Sequence, residues 1–228
     1  MHAPARFRRL VVVLVGMALV TTAGAAVPDP ADQSVRQFLA QDRRQPTYQA
    51  ARRLEARNGQ LSAWMEAVTA YSQSAGFRYQ ITAEGGSDSI RNKVLRAVLE
   101  GEREIIALGE SARSALAREN YTFQPNGIGA DGLANIQLTP RRKERVLLLG
   151  TMLLRPTGGD LVRLEGRLAK SPSFWVKNVD IVRIYERING VVMPVRLESR
   201  AQVRFLGEAT LRMTYRYSEI DGRAVERR

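Results

Sequence analysis

The sequence has no cysteine and a single histidine, His2, among its 228 residues. No disulfide can staple such a chain, so its stability has to come from packing. The histidine falls in a leader-like segment. The rest of the chain therefore lacks thiol and imidazole nucleophiles, the Ser-His-Asp arrangement and nearly every transition-metal site. The S-x-x-K spacing that sets a helical lysine beside a serine nucleophile is also missing. No apolar run reaches the roughly 20 residues of a membrane-spanning helix. Lysine is scarce, with 4 against 31 arginines.

What is present begins with that leader. Arg6, Arg8 and Arg9 make a positive start, Leu10 to Val20 an apolar stretch, and Ala23 to Ala26 a run of small residues. This is the tripartite pattern of a secretory signal peptide cut after Ala25 or Ala26. The sequence thus predicts a signal peptide over residues 1–26, one folded domain over 27–228, and a periplasmic location. Sec and twin-arginine export both fit Arg8-Arg9. The formal charge is +12, of which the leader's three arginines supply 3, leaving +9 on the domain. A basic surface suits phosphate, anionic lipid or nucleic acid; export argues against nucleic acid. The abundance of arginine has a plain alternative reading in genome composition. At 44% hydrophobic and 25% charged, the chain is composed like a globular protein.

The first half reads as mainly helical and the second as strands. Ala31 to Arg57 is expected to be a helix interrupted at Pro46 and stopped by Asn58-Gly59. Leu61–Tyr71 and Phe77–Glu84 read as strands. Ile90, Val94, Leu95, Val98, Leu99 and Ile105 recur at helical spacing, predicting a helix from Ser89 to about Leu108; a shorter helix is expected near Ser111 to Arg118. From Tyr121 the apolar period becomes two, and Asn189-Gly190 between two long runs predicts a hairpin with a type I′ turn. A final strand is expected over Gln202–Tyr217, with Val203, Phe205, Leu211, Met213, Tyr215 and Tyr217 on one face. The fold class is α+β: a large, curved, mostly antiparallel sheet with one wet face and helices covering the other.

Several motifs invite chemistry. Gly127, Gly129 and Gly132 spell G-x-G-x-x-G, but without the strand–helix context of a dinucleotide site they read as a loop. Glu165, Asp180, Glu186 and Glu198 fall in expected strands, where ion pairing on a wet sheet is simpler than acid–base work. Arg141-Arg142-Lys143 reads as a solvated turn or as a landing patch for anionic head groups. Lys170-Ser171-Pro172-Ser173-Phe174-Trp175 carries two large aromatics that suit either the core or a cavity mouth.

The order of leader, helix, strands, helix and strand meander resembles the LolA-like (outer-membrane lipoprotein carrier-like) superfamily. The stretches 79–102 (YQITAEGGSDSIRNKVLRAVLEGE), 138–150 (LTPRRKERVLLLG), 163–176 (RLEGRLAKSPSFWV) and 179–199 (VDIVRIYERINGVVMPVRLES) resemble an uncharacterised family of exported bacterial proteins with that fold. The resemblance implies an unclosed β-barrel around helices, with an apolar cavity between, and brings no catalytic residue. On this footing the chain is expected to be a non-enzymatic carrier or sensor of a lipid or other apolar ligand. The alternative is an interaction module for a protein partner in an envelope assembly. Lys170, Phe174, Trp175, Leu211, Met213 and Tyr215 are the candidate ligand contacts. Arg141, Arg142 and Lys143 are the candidates for an anionic head group or membrane surface. No cofactor, metal or catalytic residue is expected.

Overall fold

The computed structural model describes residues 29–41, 44–172, 174, 176–205 and 207–226. The expected leader, and Trp175, lie outside these residues. Asp29 accepts a hydrogen bond from the Ala31 N–H and so caps the first helix, α1 (Pro30–Ala40), with Pro30 in the first turn. That proline has no N–H to leave unsatisfied there. Ala31, Val35 and Phe38 form its buried side.

The sequence suggested that this helix runs on to Arg57. Instead the chain extends as strand β1 (Tyr48–Asn58), which forms a hairpin with β2 (Leu61–Ser72). Burial along β1 alternates, with Tyr48, Ala50, Arg52, Leu54 and Ala56 inside. Two alanines and an arginine among the inner positions hide the period of two from a hydrophobicity reading.

The sheet continues with β3 (Gly76–Gly86), β4 (Tyr121–Ile128), β5 (Ala134–Pro140), β6 (Leu148–Leu154), β7 (Leu161–Leu168), β8 (Val176–Ile188), β9 (Val191–Val203) and β10 (Gly207–Ile220). The order across the sheet is β3-β2-β1-β10-β9-β8-β7-β6-β5-β4, and a two-residue strand, β11 (Arg223–Ala224), pairs with β10. Every pairing is antiparallel, and β3 and β4 are the free edges, so the barrel is not closed. Pro125 is accommodated because β4 is an edge and its missing N–H breaks no ladder. Asn189 and Gly190 have φ of +49° and +85°, the left-handed pair that a type I′ hairpin needs. The last expected strand proves to be two: β9 ends at Val203, and β10 begins at Gly207. Phe205 sits in the turn between them at φ +66° and 92% exposed, not on an inner face.

One register row crosses the whole sheet. Pro125, Ile136, Met152, Leu164, Arg183, Leu197, Met213, Leu54, Met65 and Glu84 stand opposite one another, one per strand from β4 to β3. Seven of these ten are buried apolar side chains, which marks the inner face. On the other face arginines and carboxylates pair across strands, as with Arg53 and Glu66 (2.7 Å), Arg167 and Asp180 (2.9 Å) and Arg212 and Glu198 (3.0 Å). Exposed pairs of this kind contribute little each. They account for three of the four strand carboxylate environments raised by the sequence, since Glu165 also pairs with Arg163 at 2.6 Å.

Consecutive in sequence, β3 and β4 lie at opposite edges of the sheet. The segment between them therefore has to cross over, and it is helical: α2 (Asp88–Ile90), a π-helical turn (Arg91–Leu95), α3 (Arg96–Ala107) and α4 (Ser111–Ser114). Ile90 and Leu95 are both buried five residues apart, a spacing that the wider π turn brings onto one face. Val94, expected on that face, is turned out to solvent. Among the described residues no helix is long and apolar enough to cross a membrane.

Two helical covers result. The side chains of α1 join those of β4 to β7 in one core cluster, and the π turn and α3 join β1 to β3, β9 and β10 in another. Helix α1 is fixed over the β6–β7 turn, where Gln41 donates to the Gly158 carbonyl at 2.7 Å.

Candidate functional site

Two helices do not fill a face ten strands wide. Between them the inner face keeps a groove with two arms. The arm on the α3 side, of about 600 Å³, is walled by Val98, Ile105, Leu197, Met213, Tyr215 and Tyr217. The arm on the α1 side, of about 660 Å³, has Phe38, Leu161 and Tyr185 with the more polar Gln41, Arg44, Arg187 and Asp221. Gln45, Pro46, Arg183, Val192 and Pro194 line both arms and so mark their junction. Each arm is within the ~300–1,000 Å³ of small-molecule sites.

Three strand arginines reach this inner face. Arg52, 3% exposed, donates to both oxygens of Glu102 on α3 (2.5 and 3.0 Å) and to the Tyr48 hydroxyl (2.7 Å). Its guanidinium lies over the rings of Tyr215 (4.7 Å) and Phe77 (4.9 Å). Burial alone would lower its pKa; the hydrogen bonds and charge of Glu102 outweigh that and raise it. Burial likewise pushes the Tyr48 and Tyr217 hydroxyls well above the ordinary phenol range, so both stay neutral. Arg183 projects from β8 between Leu164 and Leu197, and its Nε is shielded from water with no hydrogen-bond partner. Asp160 takes up Arg187 on the α1 side, through a hydrogen bond of 2.6 Å from Arg187 Nε, and this lowers the carboxyl pKa.

Of the residues picked from the sequence, Met213 and Tyr215 line the groove. Leu211 packs at the edge of the cluster under α3 and lines a separate depression with Trp64 and Arg200. Phe174, 67% exposed, lies under the Arg204 guanidinium at 3.8 Å and is not among the groove's lining residues. Lys170 and Lys143 are brought together in a depression of about 430 Å³, which meets the groove at Ile105 and Ser114. Arg141 and Arg142 are engaged with the backbone of the α4 region: Arg141 donates to the Arg118 carbonyl (2.7 Å), and Arg142 to Glu144 (2.6 Å) and the Arg113 carbonyl (3.3 Å). Sequence reasoning missed Arg52, Arg183 and Tyr185. The signal that would have found the first two is an arginine in phase with the apolar positions of a strand.

No protein-family model and no curated protein matches the chain. Two solved structures are similar to it. One is a DUF1329 family protein from Desulfovibrio piger, 10% identical, with 82% of this chain and 90% of that one covered and a TM-score of 0.39. The other is a LolA superfamily protein from Nitrosomonas europaea, also 10% identical, with 86% and 94% covered and a TM-score of 0.39.

Proposed function

We propose that the protein is a periplasmic carrier or sensor that holds a lipid or other apolar ligand in the groove between its two helical covers, and that it is not an enzyme. The observation that carries this reading is the groove itself. An inner face built to be apolar is left unfilled in the middle, where burying a further large side chain would have contributed roughly 1.5–3 kcal/mol. A chain that forgoes this around Val98, Val192 and Tyr215, all only partly buried, leaves space for an acyl chain to supply the missing contacts.

Val192 lines both arms and is only partly buried, at the margin of the α1-side core cluster, so a larger side chain there extends into the junction. A fluorescent fatty acid is expected to bind the wild-type protein in the micromolar range. Val192→Trp should weaken that binding at least about tenfold, a loss of ~1.4 kcal/mol, with the far-UV circular dichroism unchanged. Equal binding by the two proteins would remove the groove as the site.

The location rests on the leader. With residues 1–26 read as a signal peptide, protein recovered from the periplasm should begin at Ala26 or Val27. N-terminal sequencing that finds the leader still attached would contradict the export reading.

A further inference from the structure

Arg183 is the one charged side chain in the interior of the register row; the other, Glu84, stands at the sheet edge and is met by Arg91 and Arg96. Its neighbours in the row, Leu164 and Leu197, are buried. Among the described residues Arg183 makes no ion pair. Glu102, the carboxylate whose charge reaches it, is held by Arg52 through two hydrogen bonds. Its polar neighbours, Tyr185 and Tyr215, are phenols and bring no compensating charge at neutral pH. A guanidinium half-buried in an apolar wall without a counter-ion carries part of the desolvation cost of a buried charge. Its five donors form a planar fork matched to the two oxygens of a carboxylate or phosphate.

Position adds to this. Arg183 stands at the junction of the two arms, on the sheet side of the groove between β7 and β9. The arm toward α3 offers the partly buried Val98, Ile105 and Tyr215 to a chain, whereas the arm toward α1 carries the charged Arg44, Arg187 and Asp221.

Resting on the groove as a ligand site, we propose that Arg183 is its anion anchor: the ligand is a single-chain amphiphile whose acid group, carboxylate or phosphate, pairs with the guanidinium inside the groove while its chain lies in the α3-side arm. The charged end is then buried, the reverse of a head group held at the mouth by Lys170 or Lys143.

The test is calorimetric titration of the whole protein with decanoate and decyl phosphate, each below its micelle concentration, and with decanol below its solubility limit. Wild-type protein should bind both acids at least about tenfold more tightly than decanol. Arg183→Met should bring the three ligands to within about threefold of one another and leave decanol binding as tight as before or tighter, since only the charge-specific contact is removed. Arg183→Lys, which keeps the charge but not the fork, should retain part of the preference and serves as the readout if the methionine variant fails to fold. A preference for decyl phosphate assigns the ligand to phospholipid-like head groups; a preference for decanoate assigns it to fatty acids. Wild-type protein that binds decanol as tightly as the acids would overturn the anchor and leave the groove reading standing. Wild-type protein that binds none of the three would overturn both.

Discussion

Glu102→Ala is expected to lower the unfolding free energy by about 3 kcal/mol, toward the lower end of the ~3–5 kcal/mol seen when one partner of a buried ion pair is removed. The pair joins α3 to β1 across fifty residues of chain, and the two ends are not equally buried: the Arg52 side chain is 2% exposed and that of Glu102 30%. With Glu102 gone, Arg52 keeps the Tyr48 hydroxyl and the two ring faces but no counter-charge. Water reaching the vacated carboxylate position makes good part of the loss, which is why the low end is expected. The cost lies in the stranded charge more than in the broken contact. The double variant Arg52→Met/Glu102→Ala should therefore recover most of the stability, because an unbranched apolar chain fits between the rings of Phe77 and Tyr215. Urea denaturation followed by circular dichroism measures both. An unchanged midpoint for Glu102→Ala, or no recovery in the double variant, would show that the pair does not secure α3.

Gly159→Val is expected to cost about as much, again about 3 kcal/mol, by a different route. Gly159 has φ +68°, and a left-handed backbone costs a branched residue roughly 1–2 kcal/mol. A side chain there also meets α1 directly. A Cβ would lie 2.6 Å from the Phe38 amide nitrogen, 2.8 Å from the Ser34 carbonyl oxygen and 2.9 Å from the Gln37 Cβ. Two of these are backbone atoms of a helix that cannot yield locally, so α1 has to lift away from the β6–β7 turn. Overpacking of this sort adds roughly 1–3 kcal/mol. The neighbouring Gly158 supplies an internal control. Its φ is +86°, but a Cβ there comes no closer than 3.9 Å to another group. Gly158→Val should thus show the backbone penalty alone, and the difference between the two variants isolates the docking of α1. Equal melting temperatures would mean that α1 is not held by this approach.

These two contacts set the groove, since each fixes one of its helical walls. Neither was visible beforehand, although the surrounding elements largely were. The hairpin at Asn189-Gly190 could be read from its residues because Asn-Gly readily adopts the left-handed pair of a type I′ turn. The helix beginning near Ser89 could be read because its apolar residues recur every three or four places. These are local rules, in which a residue and its near neighbours carry all the information.

Where inner positions were filled by something other than large apolar side chains, the local rule misled. In β1 the inward residues include Ala50, Arg52 and Ala56, so the segment looked like a continuation of α1. In β8 the inward Arg183 stands in phase with Val179, Ile181 and Tyr185, yet Val182 and Ile184 on the outward side blur the alternation. An inner arginine reads as a surface residue until the strand's neighbours are known.

The amino-acid sequence by itself determined the class of fold, the one-sided sheet, the best hairpin and the absence of cysteine and histidine chemistry from the domain. Each of these follows from composition or from spacing over a few residues. Only the tertiary structure decided that β3 and β4 lie at opposite edges, that the segment between them must cross the inner face, and that Leu164, Arg183 and Leu197 fall in one row. Those are matters of register between strands far apart in the chain. Register is fixed by the sum of all cross-strand contacts on a buried face, a quantity that no short stretch of sequence contains.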